Sequence, residues 1–154
     1  MAKVFFGLGS NLGDKEAFIL QAIELIAEQI GPVWARSALF SSVPWGFESD
    51  NVFLNGCAAA DTALSPADCL SSIKRIEEAL GRTKKANEGY KDRVIDLDIL
   101  FYDDLVVKME DLTIPHPLLQ DRIFVLKPLL EIAPDFKHPL LGKTVRQLFN
   151  ALIE

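Results

Sequence analysis

Apolar positions along the chain switch between a period of two and a period near 3.6, and the switches divide it into elements. Lys3 to Gly9 predicts a first strand, followed by the polar turn SNLGD. Phe18, Ala22, Leu25, Ile26 and Ile30 then recur at helical spacing until Gly31-Pro32, which cannot continue a helix. Val33 to Ser42 predicts a second strand, SVPWGFESDN a long loop, and Val52 to Thr62 a third strand. SPAD, Ser65 to Asp68, combines an N-cap serine, a proline at the first helical position and an acid three residues after the cap. Leu70, Ile73, Ile76 and Leu80 make the apolar stripe of that helix, and Gly81 is a natural stop. The polar segment RTKKANEGYKD leads into a strand, RVIDLDIL, and YDDL predicts a turn opening a hairpin into Val106-Val107. His116 stands between Pro115 and Pro117 in a rigid, exposed turn, where it serves either the turn or a phosphate. A helix from Phe124 to Ile132 and another from about Thr144 complete the chain.

The order β, α, β, β, α, β with a small helical tail predicts a ferredoxin-like α+β sandwich. Its helices are expected on one side of a mainly antiparallel sheet. No repeat, linker or low-complexity stretch divides residues 1–154, so one domain is expected.

Two acids interrupt the apolar strand. Alternation puts Asp96 and Asp98 on one face and Ile95, Leu97, Ile99 and Phe101 on the other. Burying unpaired carboxylates costs several kcal/mol, so the pair must meet water, cations or a metal. Same-face neighbours on a strand are about 6 to 7 Å apart, a span that two cations roughly 3.5 to 4 Å apart can bridge. Mg²⁺ favours one or two carboxylates plus water and substrate phosphates. Alone, D-x-D fits a solvated strand face equally well. From Lys74 to Arg93, however, seven basic residues (Lys74, Arg75, Arg82, Lys84, Lys85, Lys91, Arg93) face four acids. A basic loop beside two carboxylates is what polyphosphate transfer requires, against the plainer reading of a solvated charged loop. Few apolar residues anchor Arg82 to Lys91, so that loop is expected to close over a bound nucleotide.

Two phosphate-loop lookalikes fail. GLGSNLG has Leu12 where a dinucleotide fingerprint needs glycine, and the GKT at Gly142 has Lys137 where a Walker A loop needs its first glycine.

At 154 residues with 49% apolar composition the chain can bury a substantial core, and 25% charged residues argue against disorder. A net charge of −6 argues against a general nucleic-acid binder. KVFFGLG does not have the form of a signal peptide, and no apolar run reaches the roughly 18 residues that span a bilayer. A cytoplasmic protein with no membrane partner is expected. Cys57 and Cys69 read as reduced core thiols.

Six blocks, GLGSNLGD, VFLNGCAA, RIEEALGR, DRVIDLDIL, TIPHPLL and DRIFVLKPLLEIAP, together resemble the 6-hydroxymethyl-7,8-dihydropterin pyrophosphokinases of folate biosynthesis across essentially the whole chain. The resemblance implies an enzyme of ferredoxin-like fold that uses ATP and Mg²⁺, and a monomer is expected. A diphosphoryl group passes to the hydroxymethyl oxygen of the pterin, which attacks the β-phosphorus, and AMP leaves. It implies that Asp96 and Asp98 hold two Mg²⁺ ions, and that Arg82 and Arg93 contact the transferred phosphates. His116 and Arg122 match ATP-phosphate ligands, Glu77 and Thr113 match positions lining the nucleotide site, and Lys84 stands in for a phosphate-binding arginine. Phe53 and Phe124 match aromatics that sandwich the pterin ring, and Asn55 the amide that reads its edge. Read from the residues alone, the two phenylalanines are core and Asn55 satisfies a backbone turn. The sequence departs from the family pattern in GRTKKANEGYKDR, which lacks the usual tryptophan and Gly-Pro. It departs also in SVPWG, where Ser42, Pro44 and Trp45 replace a Thr-Pro sequence at the pterin loop. D-x-D also serves other Mg²⁺-dependent nucleotide transferases, and a nucleotide-holding regulatory module is a non-enzymatic alternative.

Overall fold

The computed structural model describes residues 1–42, 52–81 and 94–154. Strand β1 (Ala2–Ser10) runs down the middle of an antiparallel sheet, paired on one side with β4 (Phe53–Thr62) and on the other with β5 (Asp96–Tyr102). Two short strands, β2 (Val33–Arg36) and β3 (Phe40–Ser42), pair in turn with the far side of β4. The order β2-β4-β1-β5, with α1 (Lys15–Gln29) after β1 and α2 (Pro66–Ala79) after β4, is the expected ferredoxin-like arrangement. The α2 cap forms as predicted, Ser65 accepting the Asp68 N–H, and Gly81 follows the helix at φ +109°. No helix among the described residues is long and apolar enough to cross a membrane.

Helices cover both faces, where one was expected. Val4, Phe6, Leu8, Ile19, Ile26, Ile73 and Ile76 pack on the α1/α2 side. Phe5, Cys57, Ala59 and Phe101 pack on the other, beneath α3 (Ile123–Ile132) and α4 (Val145–Ile153) through Leu126, Leu129, Val145 and Leu148. The predicted tail is therefore a second layer. A strand that must bury both sets of alternating side chains reads as continuously apolar, which explains KVFFGL. Both cysteines are free and buried, Cys57 under α3 and Cys69 on α2. Burial pushes the Cys69 thiol up to about 11 and that of Cys57 higher still.

Three local expectations are corrected. The run Val33 to Ser42 is two strands: from Arg36 to Phe40 it advances four residues while its partners Ala58 to Asn55 advance three. Ser37 sits at the break, where its N–H donates to the Cys57 carbonyl and its Oγ accepts the Cys57 N–H. Within β5, Phe6 faces Ile99 but Phe5 faces Phe101, so Leu100 is an extra residue in a bulge. That bulge carries Phe101 to the α3/α4 layer, whereas Ile95, Leu97 and Ile99 stay in the α1/α2 layer. Third, no hairpin joins β5 to Val106-Val107. Asp103 stays bound to Lys3 of β1 through both its N–H and its carboxylate, and β6 (Val107–Lys108) pairs instead with β7 (Thr113–Ile114).

Candidate active site

The site lies at the Ser10 end of β1, on the face turned toward α3. Directly opposed residues of antiparallel strands project to the same side. Gly9 is opposed by Asn55 on β4 and by Asp96 on β5, so these three form one row across the sheet, and Cys57, Gly7 and Asp98 form the next. The absence of a side chain at Gly9 matters here. A Cβ at that position would lie 3.3 Å from Asn55 Oδ1 and 3.5 Å from Phe53 Cδ1.

On the β4 side of the row, the Asn55 amide donates to Ser42 Oγ at 2.6 Å and to the Phe40 carbonyl at 3.4 Å. These bonds fix the plane of a buried amide. The structure thus brings Phe53, Asn55 and Ser42 together, with Asn55 partly serving the β3 backbone. Phe124, at the start of α3, lies under the guanidinium of Arg122, whose Cζ is 5.7 Å from the ring centre. Arg122 is itself buried, 8% exposed, at the N-cap position of α3.

On the β5 side, Asp96 and Asp98 are half-buried on the face opposite Leu97 and Ile99, as alternation required. His116 is not in an exposed turn: its side chain is 18% exposed and its Nε2 lies 3.9 Å from Asp98 Oδ1. Its Nδ1 accepts the Leu118 N–H, so in the neutral ring the proton sits on Nε2, toward the acid. Burial, with the Arg122 charge, pulls the His116 pKa down to about 4 against a smaller opposing effect of Asp96. Thr113, exposed on β7, lines a cleft of about 330 Å³ together with Leu70, Ile73, Ile99, Leu112, Asp98 and His116. That volume falls at the small end of the roughly 300 to 1,000 Å³ usual for small-molecule sites. The cleft is apolar along α2, at Leu70 and Ile73, and acidic where Asp98, Glu110 and Asp111 line it, so phosphates there require a bridging cation.

Glu77, expected to line the nucleotide site, bonds to the acid strand. It is 8% exposed on α2, and its Oε2 accepts the Leu97 N–H at 2.9 Å. Arg82, Lys84, Arg93 and Pro44, and the loop Arg82 to Lys91, fall in residues 43–51 and 82–93, outside the described residues. Sequence reasoning missed Gly9 and the cleft wall of Leu70, Ile73 and Leu112. Gly9 was visible in GLGSNLG: counted along β1 it shares a face with Phe5 and Gly7, which leaves a bare strip beside two site strands.

The acid pair fits Mg²⁺. Its donors are hard oxygens, and no group of three or more metal-binding side chains occurs among the described residues. An incomplete set of this kind suits a cation that completes its shell with water and phosphate.

Residues 5–134 match the family model described as 7,8-dihydro-6-hydroxymethylpterin-pyrophosphokinase (HPPK). The chain is 44% identical over 153 residues to the 2-amino-4-hydroxy-6-hydroxymethyldihydropteridine pyrophosphokinase of Methylorubrum extorquens, covering 99% of this chain and 94% of that one. It is 42% identical over 147 residues to the enzyme of the same name from Aquifex aeolicus, covering 96% and 90%. Among solved structures, Plasmodium falciparum HPPK-DHPS with pteroate superposes with a TM-score of 0.79 at 19% identity, covering 97% of this chain and 42% of that one. The chain therefore spans less than half of that longer protein, with which it shares the fold. The family match over most of the chain and these two relatives leave one assignment: the chain belongs to the HPPK family.

Proposed function

We propose that this protein transfers a diphosphoryl group from ATP to the hydroxymethyl oxygen of 6-hydroxymethyl-7,8-dihydropterin, as a step of folate synthesis. The observation that carries the reading is the row Asn55, Gly9, Asp96. Two strand spacings of about 4.8 Å put the pterin-reading amide and the first metal carboxylate roughly 10 Å apart across an open glycine floor. A pterin stacked between Phe53 and Phe124 with its edge on Asn55 directs its hydroxymethyl arm along that floor toward the acids. The nucleotide base takes the cleft of Leu70, Ile73 and Ile99, and its phosphates the end lined by Thr113 and His116, where His116 also feels the Arg122 charge.

The hydroxyl oxygen attacks the β-phosphorus in line. The new P–O bond forms as the bond between that phosphorus and the oxygen bridging to the α-phosphate breaks. The electron pair leaves on AMP, and the hydroxyl proton passes to water. His116, neutral with its proton on Nε2, donates to a phosphate oxygen. Arg122, together with Arg82, Arg93 and Lys84, holds charge on the transferring group. Two Mg²⁺ ions, when bound at Asp96 and Asp98, neutralise the triphosphate and the charge growing on the leaving oxygen. A monomer is the working unit in this reading, and two free buried thiols fit a reducing cytoplasm.

Purified protein with ATP, Mg²⁺ and the pterin is expected to form AMP and a diphosphorylated pterin. Asp98→Ala is expected to keep the fold and lose turnover by at least about a hundredfold, the scale of one lost electrostatic contact to the transition state. ADP as the nucleotide product, or normal turnover in Asp98→Ala, overturns the proposal.

A further inference from the structure

The edge of the sheet beside the two acids is closed by a side chain from α2. Among the described residues, strand β5 pairs with another strand only on its β1 side. Backbone N–H groups of an antiparallel strand point alternately toward the partner and away from it. The Leu97 N–H is bonded to Glu77 Oε2 at 2.9 Å, in a buried bond, which makes it one of the outward set. Leu97 is the residue between Asp96 and Asp98. An outward N–H left bare would let water or a peptide segment compete for the edge, and the strand could twist about that point.

We infer that Glu77 is a positioning residue for the acid pair. By taking the one amide between Asp96 and Asp98, it fixes the strand twist that sets the angle between their carboxylates, and so their joint hold on a divalent cation. The placement of α2 supports this. Leu70, Ile73 and Glu77 follow one another at helical spacing; the first two wall the nucleotide cleft, and the third grips the acid strand. One helix face thus serves both ends of the nucleotide site. The family resemblance implies a place against nucleotide for Glu77; its bond to Leu97 makes it act through the backbone. The inference rests on the reading of Asp96 and Asp98 as metal ligands.

Mn²⁺ binding, followed by electron paramagnetic resonance in the presence of α,β-methylene-ATP, tests it without turnover. Glu77→Ala is expected to weaken Mn²⁺ binding by about tenfold or more, the usual scale for losing a group that orients a ligand. Its Leu97 amide should also exchange markedly faster. Glu77→Gln keeps an oxygen acceptor and is expected to restore both readouts to near wild type. Should Glu77→Ala fail to fold, Glu77→Leu fills the same space without the acceptor and takes its place. Wild-type Mn²⁺ affinity in a folded Ala or Leu variant overturns the inference, and so does Glu77→Gln as weak as Glu77→Ala, which would make Glu77 a direct ligand. A wild-type protein that takes up no Mn²⁺ overturns the metal reading of the acid pair itself, and the Glu77 role with it.

Discussion

Gly9 illustrates how a missing side chain can define a site. Its hypothetical Cβ meets Asn55 Oδ1 at 3.3 Å, closer than ordinary van der Waals contact, so the neighbour must give way by a few tenths of an ångström. Gly9→Ala is expected to fold normally, since a central strand accepts alanine, while raising KM for the pterin by roughly tenfold; this is the discrimination scale of one disturbed buried hydrogen bond. Unchanged pterin KM beside unchanged ATP KM would show that Asn55 relaxes without cost. The two histidines give a second residue-scale expectation. Burial lowers the pKa of both, His116 to about 4 and His138 below its ordinary value, and in both rings Nδ1 accepts backbone N–H groups. The unfolded chain takes up histidine protons near pH 6.5, before the folded one does, so stability falls as pH drops from about 6.5 toward 4. Urea melts of the metal-free protein across that window measure the slope, and a flat profile there would contradict the burial of both rings.

Among the elements, α3 does more than cover the sheet. Its first turn brings Arg122 and Phe124 to the site. Farther along, Lys127 Nζ lies 4.8 Å from the Phe40 ring centre and Glu131 Oε1 accepts the Ala38 N–H at 2.8 Å. These contacts tack the break between β2 and β3 onto the helix, and β3 in turn supplies Ser42 to Asn55. Glu131→Ala removes an exposed bond and is expected to cost about 1 kcal/mol in a thermal melt, with faster amide exchange at Phe40 to Ser42. Exchange unchanged over β3 would mean that β4 alone holds it. Elements whose signals are local were legible in the sequence. The α2 helix was readable because Ser65, Pro66 and Asp68 cap it from within its own first turn. The split of Val33 to Ser42 was not, because its cause is Ser37 reaching Cys57, twenty residues away.

For the whole molecule, the second helical layer closes a core of its own. Val145 and Leu148 of α4 close the core around Phe5 and Phe101, with Phe136 and Phe101 ring centres 4.5 Å apart. Leu148→Ala is expected to cost about 2 to 5 kcal/mol, with loss of cooperative unfolding as the alternative result if α4 is an independent unit. Chemical denaturation distinguishes these. The layer was only partly legible: helical periodicity announced α3 and α4, but periodicity does not say which face of a sheet a helix covers. The acid pair, by contrast, stood out because carboxylates in an apolar strand have few explanations. The partner that holds the strand between them, Glu77, lay in a different element and gave no local signal.

The bulge at Leu100 has a bearing on how this chain tolerates changes in length. Below it, even-numbered positions of β5 face the α3/α4 layer; above it, odd-numbered Phe101 does, so the two halves of the strand keep independent phase. Removing one residue at 100 would leave every other β5 side chain on its present face. The same deletion at 97 would turn Asp96 into the α1/α2 core. A one-residue deletion is therefore admissible at one point of this strand and ruinous three residues earlier, which makes the bulge a built-in allowance in chain length that leaves the acids in place.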